Sequence, residues 1–88
     1  MKLPPVRFEL VDRERHRERF YSLAIVDDPQ LSLTPNEPAG VLLVVTRGRL
    51  GGKPIVRRER FATAWRAIER WGELATRRRR HGYTEVSR

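Results

Sequence analysis

A chain of 88 residues and 10.4 kDa has room for one domain with one small core, because folding at this size removes only about 60–65% of the unfolded surface from water, and a multi-domain enzyme is excluded. Nineteen Lys and Arg against eleven Asp and Glu give a net charge of +8 and a pI near 11.4, which draws the chain to polyanions, with nucleic acid or an acidic protein surface as the expected partner. The absence of cysteine removes disulfides, thiol nucleophiles and Cys-ligated metal sites.

Met1 to Pro5 is expected to be an N-terminal tail, with the domain spanning residues 6–86. Val6, Phe8 and Leu10 alternate with Arg7 and Glu9, the period of a half-buried strand. Arg13 to Arg19 is seven consecutive polar residues and suits a solvated hairpin connection. Phe20 to Val26 is aromatic and β-branched and stops at Asp27-Asp28-Pro29, predicting a second strand and a turn. Pro29 to Gly40, with three prolines, predicts a loop with a mobile tip. Val41 to Val45 is apolar throughout, as expected of a central strand covered on both faces. Gly51-Gly52 signals a hairpin, and Ile55 to Arg58 a fourth strand.

After Phe61 the period becomes helical, over Thr63 to Arg80. Phe61, Ala64, Trp65, Ile68, Gly72 and Ala75 share one face, and Arg66, Arg70, Arg77 and Arg80 point away. Thr63 is the expected N-cap and Gly82 the expected left-handed stop, with the arginines near the end suiting the helix dipole and Glu73 four residues before Arg77. Gly72 costs about 1 kcal/mol in a helix, so close contact with the sheet is expected there. Tyr83 to Val86 can add a last short strand. The expected fold is therefore α+β: a small antiparallel sheet of four to five strands packed on one C-terminal amphipathic helix, with Trp65 and Ile68 sealing one sheet face.

Parts for catalysis are missing. His16 and His81 have no spaced ligand or carboxylate that would make a metal site or a triad. Gly51-Gly52-Lys53 is no phosphate loop, because Arg47 and Pro54 stand where that motif needs Gly and Ser or Thr. Asp27-Asp28 is explained as a turn. No enzyme activity, cofactor or metal is expected. The longest apolar run, Val41 to Val45, is far short of the roughly 20 residues of a membrane span, and no signal peptide is visible, so a cytoplasmic protein without membrane contact is expected.

The charge is unevenly placed. Residues 1–44 carry 6 basic and 7 acidic residues, whereas residues 45–88 carry 13 basic and 4 acidic. Seventeen of the basic residues are Arg, which suits forked contacts to phosphate, although a GC-rich coding habit gives the same bias. One cluster lies on the second hairpin (Arg47, Arg49, Lys53, Arg57, Arg58, Arg60). The other lies on the helix (Arg66, Arg70, Arg77 to Arg80), where a solvated face is an equal explanation. Whether the hairpin arginines converge depends on strand register.

Phe8-Glu-Leu-Val-Asp12, a charged connection, Arg19-Phe20-Tyr21, Thr46-Arg-Gly-Arg-Leu-Gly51, Phe61 and a helix closing in Gly82-Tyr83 resemble, over roughly residues 7–86, the WGR domain. That family occurs in DNA-damage-dependent poly(ADP-ribose) polymerases and in short bacterial proteins. Its Trp-Gly-Arg motif is matched by Gly48 and Arg49, with Arg47 in the Trp place. In the polymerases the Trp packs on the sugar of a terminal nucleotide and the Arg reaches the backbone or the neighbouring catalytic module. The resemblance carries the second role to Arg49, and implies positions near phosphate for Arg19 and Tyr83. The expected function is a non-catalytic nucleic-acid-binding module of low sequence specificity, DNA before RNA, with Arg47, Gly48, Arg49, Lys53, Arg19 and Tyr83 as its site. The alternative is a protein-interaction module that lost DNA-end binding with the motif Trp, with Trp71 and Leu74 on the flank of the helix stripe as candidates for a partner-facing edge; packing against the sheet edge is the other reading of these two residues.

Overall fold

The computed structural model describes residues 3–28 and 40–86. Strands β1 (Leu3–Asp12), β2 (Arg17–Asp28), β3 (Gly40–Arg49) and β4 (Ile55–Phe61) precede helix α1 (Ala64–Arg80) and strand β5 (Thr84–Val86). All neighbours pair antiparallel, in the order β4-β3-β2-β1-β5. The molecule is a small α+β fold of one five-stranded sheet and one C-terminal helix. Among the described residues no helix is long and apolar enough to cross a membrane. The loop expected between Pro29 and Gly40 lies outside the described residues up to residue 39.

Strands β1 to β4 outrun their apolar segments, because ladder hydrogen bonds continue wherever a neighbour is present. Leu3 to Pro5 belongs to β1 rather than to a tail. Arg17 to Arg19 are in β2, which shortens the hairpin connection to residues 13–16. There His16 takes φ 55°, the left-handed region, which His tolerates better than most residues. Asp27-Asp28 is the end of β2, not a turn, and Asp28 is buried with a carboxylate oxygen 3.4 Å from Arg60 Nε.

The central strand is β2, since β3 has the edge strand β4 as one neighbour. Phe8, Tyr21, Leu23, Ile25, Val41, Leu43 and Val45 are buried on one face with Ala67, Leu74 and Ala75 of α1. Leu42 and Val44, on the other face, are half-buried. Burying a side chain of Leu or Ile size contributes about 2 kcal/mol, so this single layer carries the fold.

Helix α1 begins as expected, with Thr63 Oγ1 accepting the Arg66 backbone N–H at 3.4 Å. Its inward stripe differs from expectation. Trp65 is 68% exposed and seals nothing, while Trp71 packs on the core and Leu74 is 5% exposed, so neither forms a partner-facing edge. Gly72 is exposed, and a Cβ added there meets nothing within 4 Å, so no close approach to the sheet explains it.

Candidate nucleic-acid interface

Strand alternation decides which basic side chains meet. In the β2–β3 ladder Arg19 lies opposite Arg49 and Tyr21 opposite Arg47, and in the β3–β4 ladder Arg47 lies opposite Ile55. These positions are in phase with the buried Leu23 and Val45, so they continue the helix-covered face beyond the end of α1. Arg57 shares that face two positions further along β4.

Two turns close the region. Residues 50–54 return β3 to β4, with the Gly52 N–H donating to the Arg49 carbonyl at 3.0 Å and Gly51 at φ 81°, a conformation that favours glycine. The Leu50 N–H donates to the Glu18 carbonyl at 2.9 Å, tying this hairpin to β2. The returning arm passes over Gly48: an added Cβ would stand 3.3 Å from the Lys53 carbonyl oxygen and 3.4 Å from the Phe20 ring and Pro54 Cα. At the other side, α1 ends with the Gly82 N–H donating to the Arg79 carbonyl (3.2 Å), the Tyr83 N–H donating to the Arg78 carbonyl (3.0 Å) and Gly82 at φ 87°. This paired cap fixes Tyr83 beside Arg78.

The result is one cleft of about 410 Å³. It brings together all six residues expected at the site: Arg19, Arg47, Gly48, Arg49, Lys53 and Tyr83. Phe20, Tyr21, Gly52, Ile55 and Arg78 complete its walls. For Arg78, in the helix cluster, the sequence leaves a solvated face and a binding role equally open. It is half-buried, with its guanidinium 4.6 Å from the Tyr21 ring centre and 5.5 Å from that of Tyr83, and its Nε is buried without a hydrogen-bond partner. Cation–π contact holds such a group in place while leaving N–H donors unspent. The signal available in the sequence was the spacing from Arg78 over Gly82 to Tyr83, together with Arg19 and Tyr21 in one strand phase.

Five cations (Arg19, Arg47, Arg49, Lys53 and Arg78) line the cleft, and no carboxylate does. Among the described residues none of the five forms an ion pair. Arg19 and Arg49 are directly opposed like charges, an arrangement that costs stability.

Elsewhere carboxylates are supplied. Arg70, expected to point away from the sheet, leans onto β4, with its Nε donating to Glu59 and its Nη1 to Glu73, both at 3.3 Å. Partial burial lowers the pKa of this guanidinium, but the hydrogen bonds and charges of Glu59 and Glu73 outweigh that and hold it above its ordinary value. Glu73 thus pairs with Arg70 rather than with Arg77. Arg57 Nη2 is 3.7 Å from Glu59. Both histidines are exposed, and among the described residues no group of His, Asp and Glu is placed to hold a metal ion.

No protein-family profile matches the sequence, and no curated protein does. A crystal structure of a Bacteroides fragilis protein, a target of the Northeast Structural Genomics Consortium, matches 96% of this chain with a TM-score of 0.70 at 20% sequence identity. The chain spans 20% of the length of that protein. A likeness at that identity shows the fold.

Proposed function

We propose that the chain is a non-catalytic nucleic-acid-binding module of low sequence specificity, and that the cleft holds sugar–phosphate backbone. The observation that carries this reading is the set of five cations in one cleft without a carboxylate. Phosphate supplies the missing charge, and forked guanidinium contacts suit its oxygens. Arg19 and Arg49 are the pair from which a single phosphate draws two forks, with Lys53 and Arg47 on either side. Arg78 adds a held donor on the cleft wall.

Base stacking is not part of the reading. Arg78 lies over Tyr21 and Tyr83, and Arg7 covers Phe20 at 4.5 Å, so guanidinium groups already occupy the aromatic surfaces on which bases would stack. The resemblance to the WGR domain adds the preference for DNA over RNA and the role of Arg49. Arg47 in place of the motif Trp offers charge where the family offers a flat apolar surface.

Fluorescence titration of labelled duplex, nicked and single-stranded DNA at several salt concentrations tests the proposal. Engagement of three to five phosphates predicts a slope of log K against log salt between about −3 and −4.5 on duplex. A slope near zero, or no binding at about 50 mM salt, overturns it. Polyglutamate in the same assay measures the competing reading, an acidic protein surface: tighter binding to it than to DNA would favour that partner.

A further inference from the structure

Among the described residues β4 has a strand on one side only, because it stands at the end of the sheet and pairs with β3. Ile55 (59% exposed) and Val56 (43%) open this edge, and Trp65 (68%) follows its last residue, Phe61, by four positions. Among the described residues, two of the four large apolar side chains that are exposed thus lie on this strand, and a third follows it closely in sequence. We propose that β4 pairs antiparallel with β4 of a second copy, about a two-fold axis through Arg58, joining two sheets into one of ten strands.

The strand's own pattern selects that register. A two-fold axis normal to a continuous sheet keeps the faces matched, so it must pass through a residue. With the axis at Arg58, the helix face sets Ile55 opposite the second copy's Phe61 and Arg57 opposite its Glu59, each pair occurring twice. The other face sets Val56 opposite Arg60, whose stem can cover it, and Arg58 opposite itself. An axis at Arg57 would instead oppose Arg57 to Arg57 and Ile55 to Glu59. An axis at Glu59 would oppose Glu59 to Glu59 and Phe61 to Arg57. Only the Arg58 register gives complementary pairs along the whole helix face. Glu59 is prepared for it, already lying between Arg70 and Arg57. Both helices then lie on one side of the joined sheet, and the two cation clefts open to the same side.

The chain has no cysteine, so single introduced cysteines report the register directly. Arg58→Cys places two thiols across the axis with Cα atoms about 5 Å apart, within disulfide range. Val56→Cys separates its two thiols by four residues along the strand, about 13 Å. In about 0.5 M salt, which screens the net charge of each chain, the unaltered chain is expected to sediment with a mass that rises with concentration. The Arg58→Cys chain is expected to form a covalent dimer, with Val56→Cys at least about tenfold slower to do so. Arg57→Glu, at a side chain 71% exposed, sets Glu opposite Glu twice and is expected to raise the dimer dissociation constant about tenfold with the circular dichroism spectrum unchanged. A constant mass of 10.4 kDa at every concentration, or equal cross-linking at the two positions, overturns the proposal. No nucleic acid enters these measurements, so their outcome is independent of the cleft's ligand.

Discussion

Arg70 and Arg49 are the same side chain on the same face of one small sheet, and their surroundings are opposite. Arg70 is 30% exposed and spends its donors on Glu59 and Glu73. Arg49 is exposed, faces Arg19 and has no carboxylate in the cleft the two share, while a second hollow on its other side is lined by Glu18. On the proposed reading, basic residues alone do not mark the binding surface of this chain; the placement of the few acidic ones does. Glu59, Glu69 and Glu73 lie on β4 or α1 and do not line the cleft, although Glu59 lines an adjoining cavity with Arg47 and Arg78. They pair with neighbouring arginines, and on the proposed reading the cleft's charge is left to an outside anion.

The largest expected effect breaks the cleft's side of this comparison. Arg19→Glu puts a carboxylate directly opposite Arg49, so binding and stability should move in opposite directions. Loss of one forked phosphate contact and capture of a second by the new ion pair should weaken DNA binding by about 100-fold. Replacing a like-charge pair with an attractive one should stabilise the fold by about 0.5–1 kcal/mol, which a thermal melt reads as a rise of a few degrees. A fall in both would show that Arg19 serves the fold.

Next in size is a contrast between two glycines. Gly48→Ala presses its new methyl against the Lys53 carbonyl and Pro54 Cα, backbone atoms of a closed hairpin that cannot step aside alone. A loss of about 1–2 kcal/mol is expected, with weaker DNA binding because Lys53 moves with the arm. Gly72→Ala adds a methyl in open space within a helix and should gain up to about 1 kcal/mol. Urea melts of the two variants check the opposite signs, and the DNA affinity of Gly72→Ala should match that of the unaltered chain.

Much of this was legible in the sequence, and what was not has identifiable causes. Alternation and turn residues located every strand and both ends of the helix, because those signals are local. The convergence of Arg19 with Arg49 was not legible, since a one-residue slip would have sent either side chain to the other face. The helix stripe was misplaced by part of a turn. Trp65 and Gly72 complete one plausible face, and Ala67, Trp71 and Leu74 complete another. Long-range contacts decide between them: Arg70 with Glu59 on β4, and Arg78 over Tyr21 on β2. Neither is visible in helical periodicity. The same rotation that sets Trp71 and Leu74 inward places Arg78 on the cleft wall.

The smallest expected effect tests the brace. Arg70→Ala removes two hydrogen bonds and two charge contacts from a partly exposed site, and leaves Glu59 with Arg57 as its neighbour. Ion pairs at such exposure contribute little each, and the arginine stem adds some packing, so a loss of about 1 kcal/mol is expected. In a chain of this size that is a fall of roughly 4–8 °C in Tm. DNA affinity should stay within about twofold, because the removed charge was already matched by Glu59 and Glu73. Arg19→Glu and Arg70→Ala together then form a double dissociation: one raises stability and loses the ligand, the other lowers stability and keeps it. If Arg70→Ala weakened binding as strongly as Arg19→Glu, the cations would act as one diffuse field, and the division between braced and open arginines would be without functional meaning.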